Sequence, residues 1–335
     1  MTNTTQIVLA SRPVGEPTHE NFRTETVALP ELADGQVLLE TQYLSLDPYM
    51  RGRMNDAKSY AASVEIGDPM VGGTVSRVLS SRYESLRAGD AVLSYAGWQT
   101  HSIEEGKNLA KVDDSVPLSQ YLGVLGMPAL TAYTGLLNIG KPQSGETVVV
   151  AAATGAVGVV VGQIAKLKGA RAVGIAGGPE KVAYLKEIGF DAAVDHRADD
   201  FAEQLEAATP DGIDVYFENV GGKVWEAVLP RMNDFGRVPL CGLIASYNDT
   251  ALPEGPNRVP VTMRTILQKS LTVRGYLVRE YNDQLTQFRR EMQEWIAAGK
   301  ITYREDLTDG LENAVDAFIG LLRGENFGKA VVKVA

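Results

Sequence analysis

One segment, residues 146–168, most constrains how this chain can fold. It begins with a β-branched run, passes through the small residues Ala152, Gly155 and Gly158, and continues into an apolar helical pattern. A strand, a glycine-rich turn and a helix in this order form the phosphate-binding start of a dinucleotide-binding βαβ unit. Small residues let backbone N–H groups approach a pyrophosphate, and the helix N-terminus adds partial positive charge. The segment therefore predicts a nucleotide site; the alternative is a turn whose small residues serve packing alone.

Length and composition limit the class of protein. A chain of 335 residues, 44% of them hydrophobic, can form two domains, and it has no apolar run long enough to cross a bilayer. The net charge of −10 argues against a general nucleic-acid or anionic-membrane binder, because such proteins present a basic surface. The single cysteine, Cys241, excludes an intrachain disulfide, and the N-terminus lacks a secretory pattern. We therefore expect a cytoplasmic protein.

The pattern of apolar residues in the sequence changes near residue 120. Residues 1–120 carry short alternating apolar stretches broken by Gly, Pro and Asp, which predicts an all-β, barrel-like domain. Beyond them, strands alternate with helices, which predicts a doubly wound parallel sheet. The expected fold class is α/β, with a substrate domain of residues 1–120 and 301–335 and a Rossmann domain of residues 121–300. Its strands are predicted at 147–152, 172–176, 192–195, 213–218, 237–240 and 271–276.

The end of the second predicted strand bears on which dinucleotide binds. NAD-preferring units place an acidic residue there, about 20 residues beyond the glycines, to bind the ribose 2′-OH. Here the strand ends at Gly177 and Gly178 without an acid, while Lys181, His196 and Arg197 follow close to the same edge. A 2′-phosphate is tolerated where no acid repels it, so this pattern predicts NADPH. The alternative is that the basic residues are ordinary solvated charges.

Metal chemistry is not supported by the sequence. A catalytic zinc needs a cluster of His, Cys and carboxylate ligands, but the chain has one Cys and three widely separated His: His19, His101 and His196. We expect no metal site. A Tyr hydroxyl or the cofactor ribose would then polarise the substrate in place of the metal.

Several segments together resemble one enzyme family. The order of a barrel-like domain, a Rossmann domain and a returning tail is similar to the medium-chain dehydrogenase/reductase superfamily in its zinc-independent branch. More narrowly, the chain resembles the double-bond reductases that include prostaglandin reductases, plant alkenal reductases and bacterial curcumin reductases. The matching segments run nearly end to end and include residues 9–17, 44–51, 97–99, 126–133, 152–158, 180–185, 217–222, 241–248 and 324–329. The resemblance implies a GroES-like, β-barrel-type substrate domain and a homodimer.

The resemblance also implies which residues bind the cofactor. The N–H groups of Gly155, Ala156 and Val157 would bind the pyrophosphate, and Lys181 the 2′-phosphate. The family usually has a Tyr at the position of His196, so this position departs from the pattern. Without the resemblance, asparagines here are typical turn residues and the cysteine a small buried side chain. The other implied cofactor contacts are Met127, beside the nicotinamide, and Asn219, Cys241, Gly242, Leu243, Ile244, Tyr247, Leu277, Val278 and Asn326.

Tyr247 and Tyr49 are the implied catalytic residues, because the family places these tyrosines beside the nicotinamide. The expected reaction is NADPH-dependent reduction of the carbon–carbon double bond of an enone or enal, with hydride transfer to the β-carbon. The Tyr247 hydroxyl would stabilise charge on the carbonyl oxygen, and the proton donor to the α-carbon stays open. Residues 54–60 and 246–258 are expected to rim the pocket. The alternatives are a quinone reductase, a zinc-free alcohol or alkanal dehydrogenase, and a non-catalytic NADPH-binding sensor.

Overall fold

The computed structural model describes residues 2–252 and 255–335, so Pro253 and Glu254 of the expected pocket rim lie outside the described residues. The strands, in chain order, are β1 (Asn3–Leu9), β2 (Phe22–Ala28), β3 (Gln36–Ser45), β4 (Thr74–Ser81), β5 (Ala91–Ser94), β6 (His101–Glu105), β7 (Ala110–Lys111), β8 (Thr147–Val150), β9 (Arg171–Ala176), β10 (Ala192–Asp195), β11 (Ile213–Phe217), β12 (Met232–Leu240), β13 (Thr272–Gly275), β14 (Glu305–Asp309) and β15 (Lys329–Lys333). The α-helices are α1 (Tyr49–Arg53), α2 (Met127–Thr134), α3 (Gly158–Leu167), α4 (Pro179–Glu187), α5 (Phe201–Ala208), α6 (Gly222–Val228), α7 (Val259–Gln268), α8 (Leu285–Ala297) and α9 (Ala314–Leu322).

The chain forms two compact units. The first contains the chain up to Gly123 together with Asn248–Thr250 and Glu305–Ala335, and the second contains Val124–Tyr247 and Ala251–Arg304. No helix among the described residues is both long and apolar enough to cross a membrane.

The first unit is built on a mixed sheet with the strand order β14-β15-β3-β4-β5-β7, with β6 also paired to β3 and a separate β1-β2 hairpin. β14 and β15 are parallel, and β15 pairs antiparallel to β3, so the C-terminal strand belongs to this sheet. In the core, Trp98 stacks on Phe22 with ring centroids 5.8 Å apart, and Phe318 meets both rings edge-on. The alternating apolar pattern of the N-terminal residues is thus explained by strands with one buried face.

The second unit contains a six-stranded parallel sheet in the order β10-β9-β8-β11-β12-β13. Numbered from β8, this order is 3-2-1-4-5-6, the order of the doubly wound dinucleotide-binding fold. The central strand β8 is buried on both faces, with Val148, Val149 and Val150 fully inaccessible, as expected for a parallel strand covered by helices. The predicted α/β class, with a β-rich domain and a doubly wound parallel sheet, is confirmed.

Element boundaries differ from the prediction where the backbone turns early. The strand predicted at 147–152 ends at Val150, because Ala152 adopts a left-handed conformation with φ of 50°. The strand predicted at 237–240 begins earlier, at Met232. Helix α4 ends at Glu187 and is followed by Gly189 with φ of 95°, the conformation that terminates helices. Residues Leu118–Leu122, where the change of pattern near residue 120 begins, form a 3₁₀ turn.

Candidate functional site

The turn between β8 and α3 is shaped by contacts that only small residues permit. A Cβ atom on Gly158 would lie 2.4 Å from the carbonyl oxygen of Ala152, so this position requires glycine. A Cβ on Gly155 would lie 3.3 Å from the same oxygen. The backbone therefore folds back tightly after β8 and enters the ten-residue helix α3. The predicted turn is present, and its strand and helix enclose it as expected.

The backbone N–H groups of this turn are not equivalent. The Gly155 N–H donates to the Ala152 carbonyl oxygen at 3.0 Å, so its hydrogen bond is already made within the turn. The N–H groups of Ala156 and Val157 have no backbone acceptor among the described residues. They precede the first turn of α3, where unpaired N–H groups and the helix dipole favour an anion. Ala156 and Val157 thus fit a pyrophosphate through their N–H groups, and Gly155 through its missing side chain.

A second cluster gathers basic side chains beside the end of β9. A Cβ on Gly177 would lie 2.8 Å from Arg197 Nε and 2.9 Å from His196 Nε2, so both side chains lie against this glycine. Burial, then the Arg197 charge, lower the pKa of His196; the Asp195 charge opposes this, and Lys181 lowers it further. The structure therefore brings Lys181, on α4, together with His196 and Arg197, after β10, into one basic corner.

Asp195 holds this corner in shape. Its Oδ1 accepts hydrogen bonds from the N–H groups of Gly178 and Arg197, both at 2.9 Å. These bonds and the neighbouring positive charges keep the Asp195 pKa below its usual value despite burial, which acts in the opposite direction. The sequence places Asp195 at a strand end but does not reveal that it supports the two loops of the basic corner.

A cleft of about 380 Å³ lies at the carboxyl ends of β12 and β13. Ligands of doubly wound sheets bind at this edge. The predicted cofactor residues Cys241, Gly242, Leu243, Tyr247 and Leu277 all line the cleft. Val278 follows directly in the chain, and Ile244 begins the 3₁₀ turn Ile244–Ser246. The structure thus gathers residues about 35 positions apart in the sequence around one cavity.

Tyr247 is held by the loop that it terminates. Its hydroxyl accepts a hydrogen bond from the Leu243 N–H at 3.4 Å, and a Cβ on Gly242 would lie 3.2 Å from the same hydroxyl. The absence of a side chain at Gly242 therefore makes room for the phenol. Accepting one hydrogen bond strengthens a hydroxyl as a donor to another group, so Tyr247 is suited to donate into the cleft.

Cys241 is not a nucleophile in this site. Burial raises the pKa of its thiol to about 12, opposed by a hydrogen bond with Tyr276. A thiol with this pKa stays protonated near neutral pH and is unreactive. Tyr276, which sequence reasoning did not single out, lines the same cleft and donates from its hydroxyl to the Thr131 carbonyl oxygen at 2.8 Å. The pair packs the inner wall of the cleft.

Two further predicted residues lie at strand and helix ends of the second unit. Asn219 follows β11, and its Nδ2 donates to the Ala151 carbonyl oxygen at 2.8 Å, which joins the ends of β11 and β8. Met127 is the first residue of α2, and its carbonyl oxygen accepts from Thr131 Oγ1 at 2.8 Å. Neither residue lines the cleft described above.

The remaining predicted residues, Tyr49 and Asn326, belong to the first unit. Tyr49 begins α1, directly after a buried ion pair in which Lys329 Nζ lies 3.0 Å from Asp47 Oδ1. Burial raises the pKa of Tyr49, and the Asp47 charge adds to this effect, so the hydroxyl keeps its proton. Asn326 donates from Nδ2 to the Gly328 carbonyl oxygen at 2.8 Å.

Glu218 and Glu280 are polar residues of this region that the sequence analysis missed. Glu280 lines the cleft, where it accepts the Leu277 N–H at 2.7 Å and pairs with Arg274. Glu218 is fully buried behind the cleft, where its Oε1 accepts the N–H groups of Val220 and Gly221. The only sequence signal for Glu218 is a carboxylate immediately after a buried strand. Within residues 2–252 and 255–335, no group of three His, Cys, Asp or Glu side chains is arranged to hold a metal.

The sheet order, the glycine turn, the basic corner and the cleft define a dinucleotide-binding α/β protein. Residues 5–112 match the family model described as the N-terminal domain of oxidoreductase, and residues 156–297 match the one described as zinc-binding dehydrogenase. The chain is 56% identical to the NADPH-dependent curcumin reductase of Escherichia coli (strain K12), over 98% of this chain and 96% of that protein. It is 47% identical to prostaglandin reductase 1 of Bos taurus, over 96% of each chain.

Comparison with solved structures agrees with these sequence matches. The crystal structure of CurA from Vibrio vulnificus in complex with NADPH superposes with a TM-score of 0.96 at 54% identity, covering 99% of both chains. The chain therefore belongs to the medium-chain dehydrogenase/reductase superfamily, in its zinc-independent double-bond reductase branch. It is an oxidoreductase.

Proposed function

We propose that the protein reduces the carbon–carbon double bond of α,β-unsaturated ketones and aldehydes with NADPH. The observation that carries the proposal is the cleft at the ends of β12 and β13, which gathers Cys241, Gly242, Leu243, Tyr247 and Leu277. When bound, NADPH supplies the hydride for the β-carbon of the substrate. The names of the relatives, an NADPH-dependent curcumin reductase and a prostaglandin reductase, support this substrate class.

The residues of the second unit fit NADPH. The Ala156 and Val157 N–H groups, at the start of α3, bind the pyrophosphate, while the Gly158 position leaves no room for a side chain. Lys181, His196 and Arg197 bind the 2′-phosphate, because residues 177 and 178 carry no acidic side chain to bind a ribose 2′-OH, and the nearby Asp195 carboxylate is engaged by the Gly178 and Arg197 N–H groups. Asn219 and Met127, with Ile244 and Val278, complete the cofactor contacts of the second unit.

The chain's own contribution to catalysis is charge stabilisation. Negative charge develops on the substrate carbonyl oxygen as the β-carbon is reduced, and a donor placed there lowers the barrier. Tyr247 is this donor, and its hydroxyl is oriented by the Leu243 N–H. Tyr49, whose pKa is raised by burial, stays protonated and is a second hydroxyl donor to the substrate.

The test is the loss of reduced-nicotinamide absorbance, with NADPH and NADH in parallel, against a medium-chain enone, its saturated ketone and a quinone. We expect NADPH to be consumed with the enone and not with the saturated ketone. Consumption with the quinone alone would make the protein a quinone reductase, and consumption with the saturated ketone an alcohol or alkanal dehydrogenase. Tight NADPH binding without turnover of any acceptor would make it a sensor.

We also propose that the enzyme is a cytoplasmic homodimer, the location resting on its single cysteine. The sheet of the second unit ends at β13, beyond which no described strand pairs with it. On helix α7, which precedes β13 in the chain, Val259, Met263 and Leu267 are exposed at four-residue spacing and form one apolar stripe. An unpaired strand edge and an exposed apolar stripe are both features suited to contact with a second copy of the chain.

Sedimentation velocity tests this pairing. The wild type should sediment as a dimer, and Leu267→Glu should shift it to the monomer. Gln268→Glu, on the adjacent exposed position outside the stripe, should leave the dimer intact. A monomeric wild type would contradict the proposal.

A further inference from the structure

Glu218 is a buried carboxylate that the proposed reaction does not use directly. It follows β11, at the carboxyl end of the sheet, and its side chain is completely inaccessible to solvent. Among its described neighbours, Oε1 accepts the Val220 N–H at 2.6 Å and the Gly221 N–H at 3.0 Å, and the buried Tyr216 side chain lies close to the same carboxyl. An acid this costly to bury has a structural or functional reason to be there.

The side chain of Glu218 fixes a turn, Asn219–Gly221, through those two N–H groups. The carbonyl groups of this turn accept hydrogen bonds from the loop 241–247. The Asn219 carbonyl oxygen accepts the Ile244 N–H at 3.2 Å, and the Val220 carbonyl oxygen accepts the Ala245 N–H at 3.0 Å. The loop 241–247, which ends in Tyr247, is therefore hydrogen-bonded to the turn that the Glu218 carboxyl holds.

The backbone of Glu218 fixes the other end of the same loop. Its carbonyl oxygen accepts the N–H groups of Cys241 at 2.9 Å and Gly242 at 3.2 Å, and its own N–H donates to the Pro239 carbonyl oxygen at 3.0 Å. Cys241 and Gly242 line the cleft. One residue thus holds the loop at its start through the main chain and near its end through the side chain.

We propose that Glu218 is a positioning residue, whose buried carboxyl oxygen holds the loop 241–247 in the conformation that places Tyr247 and the cleft-lining backbone for cofactor and substrate. The inference rests on the proposed function, because it assigns the loop to the NADPH and enone site. Glu218 itself does not touch the cleft, so it acts through the loop.

Hydrogen-bond acceptance, rather than charge, is the property that the position requires. Burial raises the pKa of Glu218, against the lowering effect of the Val220 and Gly221 N–H groups. Tyr216 lies close enough that the Glu218 charge adds to burial in raising the Tyr216 pKa. A neutral glutamine has the same shape and keeps one acceptor oxygen for both N–H groups. It should therefore replace Glu218 with little loss.

The experiment compares Glu218→Ala and Glu218→Gln with a matched pair, Asp214→Ala and Asp214→Asn. Asp214 lies on the same strand near its other end, and its carboxyl also accepts hydrogen bonds, from the Thr147 N–H and Asn233 Nδ2, both at 2.8 Å. Kd for NADPH is measured by titration, kcat and KM with the enone by the absorbance assay, and the melting temperature by calorimetry. Both alanine variants should melt lower, since each leaves backbone or amide donors without a partner.

Only Glu218→Ala should also raise Kd for NADPH, by about tenfold, and lower kcat, because a displaced loop misplaces both the backbone and Tyr247; about tenfold corresponds to 1.4 kcal/mol. Glu218→Gln should stay within about threefold of the wild type, the range left when an acceptor is retained. In the Glu218→Ala background, Tyr247→Phe should cost less than in the wild type, since the two residues act through one loop.

Equal effects of Glu218→Ala and Asp214→Ala on Kd and kcat would overturn the proposal, and so would a glutamine variant no better than alanine. If Glu218→Ala does not fold, Glu218→Asp takes its place. Aspartate keeps the charge but is one methylene shorter, so it should fail where glutamine succeeds. A wild type that binds no NADPH or reduces no enone refutes the proposed function instead, because the Glu218 test uses only ratios to the wild type.

Discussion

The Cβ position of Gly158 and the carbonyl oxygen of Ala152 cannot both be occupied: they would lie 2.4 Å apart, with Ala153 Cα at 2.7 Å. Both obstacles are backbone atoms, so Gly158→Ala must shift the turn itself. Such overpacking costs about 1–3 kcal/mol of unfolding free energy. We expect NADPH binding to weaken at the same time, because the shifted backbone carries the Ala156 and Val157 N–H groups. Thermal melting and NADPH fluorescence titration measure the two effects.

Gly155→Ala is the graded comparison for that prediction. Its Cβ would meet the same oxygen at 3.3 Å, a tight contact that a small shift relieves. We therefore expect a smaller loss of stability than for Gly158→Ala. An equal or reversed order of the two variants would contradict the packing argument.

The backbone conformation of Ala152 leads us to expect that a substitution at this position stabilises the protein. Its φ of 50° is left-handed, a conformation that costs a residue with a Cβ about 1–2 kcal/mol and glycine almost nothing. Glycine loses about 0.5–1 kcal/mol through its greater freedom in the unfolded chain. Ala152→Gly should therefore raise the unfolding free energy by up to about 1.5 kcal/mol. Ala151→Gly, at the neighbouring buried position without a positive φ, should lower it. Chemical denaturation of both variants checks the sign, and a destabilised Ala152→Gly would refute the strain argument.

Lys181 should discriminate NADPH from NADH. Its charge acts on His196 in the basic corner beside Gly177, where a 2′-phosphate would bind. Hydrogen bonds to charged groups contribute about 1.5–3 kcal/mol, so Lys181→Ala should weaken NADPH binding by about tenfold or more and leave NADH binding unchanged. Lys186→Ala, at an exposed position near the other end of α4, is the matched control. Equal losses for both dinucleotides would place Lys181 outside the phosphate site.

His196 should couple NADPH binding to pH. Burial and the charges of Arg197 and Lys181 lower its pKa in the free protein, with Asp195 opposing them, so the ring is mainly neutral at pH 7. A 2′-phosphate beside the ring favours its charged form and raises the pKa. Binding then takes up a proton, and NADPH affinity falls as pH rises from the free toward the bound pKa, by at most about tenfold per pH unit.

Binding titrations of NADPH and NADH between about pH 6 and pH 8 test this coupling around the ordinary histidine pKa. NADH has no 2′-phosphate and should show no such dependence. The phosphate has an ionisation of its own with a pKa of about 6, so His196→Asn provides the baseline to subtract. A wild type and an asparagine variant with the same pH dependence would exclude His196 from the phosphate site.

The sequence predicts the second unit well because its signals are local. Buried parallel strands are continuous apolar runs and the turn at 152–158 needs small residues, so strand positions and the glycine turn follow from pattern alone. The missing acid at Gly177–Gly178 is also a local signal, and the structure places Lys181, His196 and Arg197 together beside it.

Other features depend on contacts that no local pattern contains. The cleft joins the loop after β12 to the loop after β13, and only the sheet order makes those strands neighbours. Tyr276 acts through one hydrogen bond to the distant Thr131 backbone, and the Glu218 carboxyl acts through two to the adjacent bent backbone, which composition and periodicity do not encode. Ala152 also could not be predicted from local propensity. It adopts a left-handed conformation that is typical of glycine.

Tyr247→Phe tests the catalytic assignment most directly. Removing one donor to a developing oxyanion typically costs about 10²–10³-fold in kcat, and phenylalanine removes the hydroxyl, the atom that lies beside Gly242, while it keeps the aromatic ring. We therefore expect kcat with the enone to fall by that factor and Kd for NADPH to stay nearly unchanged. Tyr133→Phe is the matched control, because it removes a hydroxyl that donates to Glu291 at 3.0 Å within the same unit. It should cost about 1 kcal/mol of stability and leave kcat unaltered. If Tyr247→Phe turns over within about threefold of the wild type, well short of the expected loss, the oxyanion is stabilised by another group, and Tyr49→Phe becomes the deciding variant.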